Sequence, residues 1–203
     1  MPNAAMVIRQ ALPEDARDAA QLFLLSAPFL GAILGGAMKS QRILACLFQR
    51  SGHLFSFAHA HFAEHKGTIA GMALGYTRSQ RQKEGLRTGF LLLRHSGFDF
   101  LHHLRFWQNF STATGTLHPR GYYLSNLAVY PPYQGQGIGK QLLCFIENTA
   151  WQRNCQCVEL DVSADNLRAI DFYRHLGYQP IRESRFSHRG IILAFLRMMK
   201  PIG

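Results

Sequence analysis

Acidic side chains are scarce in this sequence. Only 12 Asp and Glu stand against 22 Lys and Arg, which leaves a formal net charge of +10. A surface of that sign attracts polyanions, whether nucleic acid, anionic lipid or a phosphorylated cofactor. Charge alone does not choose among the three. The cations are scattered, and their densest run, Arg78 to Arg87 (RSQRQKEGLR), also reads as a solvated basic loop. Neither a clustered basic helix nor an aromatic RNA-binding platform accompanies them, so a nucleic-acid partner is not expected.

Cysteine is equally sparse. Cys46, Cys144, Cys155 and Cys157 lack the density of a disulfide scaffold, and the C-x-C of Cys155 and Cys157 is not the C-x-x-C of redox or zinc sites. Reduced thiols and a cytoplasmic location are expected. A clean membrane span is missing too. Leu22 to Met38 (LFLLSAPFLGAILGGAM) approaches the required length, but Pro28 and three glycines interrupt it. It follows a polar segment with Glu14, Asp15, Arg17 and Asp18, the reverse of a signal peptide's order. Two short buried helices with a break near Pro28 explain it, and no membrane association is expected. Internal repeats and Gly/Ser linkers are absent, so residues 1–203 read as one domain.

What remains is apolar and aromatic. A hydrophobic fraction of 47% with 15 phenylalanines supports a globular fold. Ala5 to Gln10 reads as a strand. Pro13 sits near a helix start, with carboxylates where the helix dipole favours them. A second helix covers Ser40 to Gln49. His53 to His65 and Gly67 to Tyr76 read as two strands of a hairpin joined near Lys66-Gly67. On that reading His59 and His61 share one strand face, and with no third ligand evident they form a polar face rather than a metal site. Residues 78–118 carry the length and aromatic weight of one or two helices, suited to a lid or a dimer contact.

From Tyr122 the pattern sharpens. YYLSNLAVY is a strand stopped by Pro131 and Pro132. Gly139 to Trp151 is a helix, with Leu142, Leu143, Ile146 and Ala150 at helical spacing. Val158, Leu160 and Val162 alternate with Glu159, Asp161 and Ser163 as a further strand. Asp165 or Asn166 caps the next helix and Gly177 ends it. Tyr178 to Glu183 and Gly190 to Met198 suit a last hairpin.

The segment VYPPYQGQGIGKQLL, residues 129–143, joins a strand to a helix through Gly135, Gly137 and Gly139. Backbone N–H groups at a helix N-terminus are unpaired and carry the positive end of the dipole, so glycines there admit an anion. A phosphate-binding P-loop is excluded: three residues, not four, separate Gly135 from Gly139-Lys140, and Gln141 stands where Ser or Thr is needed. The dinucleotide fingerprint G-x-G-x-x-G is excluded as well, since the spacing is G-x-G-x-G.

What the segment does resemble is the coenzyme A site of the GCN5-related N-acetyltransferase (GNAT) family. Val129, Pro131, Tyr133, Gln134, Gly137 and Gly139 match its pattern, with Gly135 and Ile138 also typical. Gln134 replaces the commoner arginine and removes one charge. A distant second segment, Asn166, Ala169, Phe172, Tyr173 and Gly177, resembles the family's N-x-x-A-x-x-F-Y-x-x-x-G. The close resemblance covers residues 122–180.

The resemblance implies an α/β (α+β) fold, a mixed and mostly antiparallel sheet of about six to seven strands flanked by four or more helices. Residues 78–118 would be a family-variable insertion. It implies acetyl-CoA as cosubstrate, with no metal, and a small-molecule or peptide amine acceptor; a homodimer is a further expectation. The amides of Gln134, Gly135, Gln136, Gly137, Ile138, Gly139 and Lys140 would hold the pyrophosphate. The exposed backbone of Leu127 and Val129 would pair with the pantetheine amides, and Ala128 between them is also expected at the cofactor. Asn166 would contact the cofactor arm, and Tyr173, beside the sulfur, would be the general acid for the departing thiolate. Glu159, Asp161 and Glu84 are candidates for the base, beside a water chain, and the base stays unassigned. A catalytically silent CoA sensor or scaffold of the same fold is the alternative.

Overall fold

A computed structural model describes residues 6–97, 104–188 and 191–203. The chain starts with β1 (Val7–Gln10) and a 3-10 turn at Pro13–Asp15, where Asp15 accepts a bond from the Leu12 N–H at 2.8 Å. Helix α1 (Ala16–Ser26) ends just before Pro28, which restricts the residue ahead of it. Short α2 (Phe29–Ile33) and α3 (Ala37–Phe48) follow, so the apolar run from Leu22 is spent on three helices. Among the described residues no helix is long and apolar enough to cross a membrane.

Then come β2 (Ala60–His65), β3 (Thr68–Thr77), α4 (Arg78–Ser96), α5 (Leu104–Thr114) and β4 (Gly121–Val129). Residues 78–118 thus supply two helices among the described residues. The chain closes with α6 (Ile138–Gln152), β5 (Cys157–Ser163), α7 (Leu167–His175), β6 (Gln179–His188) and β7 (Ile191–Pro201).

The seven strands form one sheet in the order β1-β2-β3-β4-β5-β7-β6. The β4–β5 pair is parallel and every other pair is antiparallel, so the sheet is mixed and mostly antiparallel. Side-chain alternation splits its core in two. Phe62, Met72, Leu74, Tyr76, Tyr123 and Ala128 face α1, α3 and the Leu91–Leu92 edge of α4. Tyr122, Leu124, Val158, Leu160 and Met198 face α6 and α7. Strands buried on both faces read as nearly unbroken apolar segments.

One expectation fails in the hairpin. Its turn at Lys66-Gly67 is as read, with φ of 53° and 75°. The first strand, however, begins only at Ala60; Phe57–His59 is a 3-10 turn. Ser56 accepts a bond from the Ala58 N–H at 3.0 Å, a local turn that outcompetes extension. His59 and His61 therefore do not share a polar strand face. Both are buried: His59 pairs with Glu84 at 2.7 Å, and the ring of His61 lies on Phe145 with centroids 4.7 Å apart.

Candidate active site

The site begins where two strands part. Pairing of β4 with β5 runs from Gly121↔Cys157 to Leu124↔Leu160 and stops there. Beyond it, β4 pairs only with β3, as far as Val129↔Gly71, and β5 only with β7, as far as Ser163↔Phe195. Ser125 is an extra residue in β4, because Leu74 opposes Asn126 while Gly75 opposes Leu124. Such a bulge bends and twists its strand. Gly75 permits the close approach there: a Cβ on it would stand 2.8 Å from the Tyr123 carbonyl oxygen.

The backbone at the end of β4 then has an unpaired side. The Tyr130 N–H donates to the Ala70 carbonyl at 2.8 Å, so Tyr130 and, two residues back, Ala128 direct their backbone toward β3. Leu127 and Val129 consequently direct theirs toward the gap between β4 and β5. Leu127 and Val129, expected to pair with pantetheine, thus offer their backbone to the gap, while Ala128, also expected at the cofactor, offers its own to β3.

The chain leaves β4 through a 3-10 turn at Pro131–Tyr133, and the Gln134 side chain reaches back to donate to the Val129 carbonyl at 2.9 Å. Gly135 (φ 76°) and Gly137 (φ 79°) hold the left-handed backbone that favours glycine, and a Cβ on either would meet nothing within 4 Å. The first bond of α6 runs from the Gln141 N–H to the Gly137 carbonyl, at 3.1 Å. The N–H groups of Gly137, Ile138, Gly139 and Lys140 therefore precede the intrahelical ladder. Open space, converging donors, the positive helix end and Lys140 together suit a phosphate group. Ile138 anchors the turn by burying its side chain with Leu142 and Leu143.

Helix α7 closes the other flank. Asn166 caps it, accepting from the Ala169 N–H at 3.1 Å, and is exposed. Gly177, at φ 90°, ends it. Tyr173 is buried against Phe172 and Tyr178, with ring centroids 5.2 and 5.7 Å away. Burial pushes its pKa up, so the phenol keeps its proton at neutral pH. Phe172 lies 3.5 Å from where a Gly139 Cβ would stand, which ties α7 to the start of α6.

The model of the acetyltransferase (GNAT) family matches residues 24–178, more than half of the chain. The chain belongs to the GNAT acetyltransferase family.

Curated relatives match a shorter stretch. Thialysine N-epsilon-acetyltransferase from Bos taurus is 36% identical over 69 residues, 34% of this chain and 41% of the relative. The Mus musculus protein of the same name is 36% identical over 75 residues, 37% of this chain and 42% of the relative. The matched stretch is thus about two fifths of those relatives' length. An N-acetyltransferase from Staphylococcus aureus Mu50 superposes with a TM-score of 0.69 at 15% identity, covering 96% of this chain and 100% of that one. A polyamine N-acetyltransferase from Drosophila melanogaster superposes at 0.66 and 15% identity, over 98% and 100% of the two chains. These two likenesses concern the fold.

Within this GNAT chain the carboxylates considered as bases are already engaged. Glu159 accepts from the His118 N–H at 2.6 Å and from Arg197 at 3.2 Å. Asp161 accepts from Arg197 twice and from the Tyr123 hydroxyl at 2.9 Å. Glu84 pairs with His59. All three act in structural networks here. Among the described residues no group of three His, Cys, Asp or Glu is placed to hold a metal, and the four cysteines are unpaired.

Sequence reasoning missed the polar bonds that fasten α1 along β4. Asn126 donates to the Ser26 hydroxyl at 2.8 Å, and the Tyr130 hydroxyl bonds Asp18 and Gln21, each at 2.9 Å. A polar Asn inside the apolar run YYLSNLAVY was the available signal.

Proposed function

We propose that this chain is an N-acetyltransferase that transfers the acetyl group of acetyl-CoA to a primary amine by direct attack in a ternary complex. The observation that carries the reading is the continuity of two features. The backbone of Leu127 and Val129, on the side that no strand covers and where the Gln134 side chain bonds the Val129 carbonyl, runs directly into the unpaired amides that open α6.

The residues fit the cosubstrate in both charge and shape. The amides from Gly135 to Lys140 would hold its pyrophosphate, the Gln134 N–H being bonded to the Pro131 carbonyl at 3.2 Å, and the β4 edge would pair with the pantetheine amides as an added strand does. Asn166, exposed at the start of α7, would contact the arm through the amide nitrogen left over from its cap. Bound there, acetyl-CoA supplies the thioester that the amine attacks. Tyr173 holds the proton delivered to the departing thiolate, and its raised pKa keeps that proton available. Fixing both reactants in one gap supplies proximity and orientation. With Glu159 and Asp161 held by Arg197 and Glu84 held by His59, a water chain to solvent is the route by which the ammonium loses its proton.

The acceptor we infer is a small amine, the class named in the thialysine and polyamine relatives. In this reading residues 1–203 are one acetyltransferase domain, elaborated at 78–118. A thiol-release assay with acetyl-CoA across an amine panel, repeated with Tyr173→Phe, tests it. Turnover for at least one amine and a loss of about a hundredfold in kcat for the variant are expected. Absence of CoA binding overturns the reading, and binding without turnover on any amine favours a sensor.

A further inference from the structure

We propose that the outward face of α4 docks onto an anionic lipid surface. The inner face of this helix is firmly held. Its N-terminus carries a capping box between Thr77 and Gln80, Glu84 pairs with His59, and Thr88 accepts a bond from the Leu54 N–H at 3.0 Å. Leu91 and Leu92 are buried in the core. Lys39 donates to the Ser96 carbonyl at 3.4 Å, which fastens the far end.

The opposite face is apolar without a fold reason. Leu86 is 88% exposed, Phe90 62% and Leu93 36%. They stand at i, i+4 and i+7, within an arc of roughly 60° at 100° per residue. Lys83, Arg87 and Arg94, all exposed, fall along one margin of that arc, roughly 60° to 100° from Leu86 by the same spacing. Glu84, the acid of this helix, turns toward His59 instead.

An apolar stripe bordered by cations with no carboxylate between them suits the boundary of acyl chains and anionic headgroups. The chain's excess of cations adds long-range attraction. A second copy docking here would bring three more cations to the same seam, and a polyanion without an apolar phase would leave the stripe wet. Contact would be peripheral, since no described helix can cross a bilayer. Because α4 packs on the sheet face opposite α6 and α7, docking leaves the glycine loop open to solvent.

Cosedimentation of the full chain with phosphatidylcholine–phosphatidylglycerol vesicles, against pure phosphatidylcholine vesicles, tests the proposal. The wild type is expected to pellet with the anionic vesicles only. The double variant Leu86→Glu/Phe90→Glu should lower the bound fraction about tenfold, since it removes apolar insertion and adds repulsion. The triple variant Lys83→Gln/Arg87→Gln/Arg94→Gln, which leaves the apolar stripe intact, should also weaken binding. A wild type that stays in the supernatant overturns the proposal, as does a double variant that pellets like the wild type. A dimer that Leu86→Glu/Phe90→Glu dissociates, without vesicle binding by the wild type, assigns the face to a second copy instead.

Discussion

Arg197 grips Asp161 with two parallel bonds, Nε to Oδ1 at 2.9 Å and Nη2 to Oδ2 at 2.6 Å, with both side chains buried. Its remaining nitrogen, Nη1, reaches Glu159 at 3.2 Å. Burial opposes the charge on Arg197, but the two carboxylates outweigh it and raise its pKa. Removing this cation strands two buried carboxylates. Arg197→Met should therefore cost about 3–5 kcal/mol of stability. Urea denaturation measures it, and a loss under about 1 kcal/mol contradicts the network's role.

The same engagement bears on the chemistry. If Glu84 holds His59 and does not take the substrate's proton, Glu84→Gln keeps kcat within a few-fold and leaves the acid limb of the kcat/KM profile in place. A collapse of activity with an unaltered fold identifies Glu84 as the base.

His61 gives a pH dependence with a defined sign. Burial first, and Arg153 second, push its pKa down from 6.5 to about 4. The unfolded chain takes up a proton below about pH 6.5 while the folded chain stays neutral until about pH 4, so stability falls as pH drops through that window. Thermal melts from pH 7 to 4 should show the decline, and His61→Gln should flatten it. Equal slopes for the two proteins contradict the assignment.

Gly137→Glu separates binding from folding. A Cβ at this position meets no atom within 4 Å, so the added strain is the left-handed backbone, about 1–2 kcal/mol. The carboxylate would stand among the amides that open α6. Loss of CoA binding with an unchanged circular dichroism spectrum is the expected result; retained affinity shows that the pyrophosphate lies elsewhere.

These elements were not equally legible in the sequence. The glycine turn, the Asn166 cap and the Gly177 stop are local, since each is set by residues within one helical turn of it. The His53–His59 stretch misled because its alternation looks extended, whereas the Ser56 side chain closes a turn. Arg197 gave no signal at all: it lies 36 residues from Asp161 and meets it only because β7 pairs with β5. The open edge of Leu127 and Val129 was placed by resemblance alone, since whether a strand has a neighbour is decided by chain far away.

Calorimetric titration of the full chain with CoA tests the central claim most directly. The account predicts saturable binding at one site, with Kd between about 1 µM and 1 mM, lost in Gly137→Glu and kept in Tyr173→Phe. A wild-type chain that binds no CoA, while folded by circular dichroism, contradicts it.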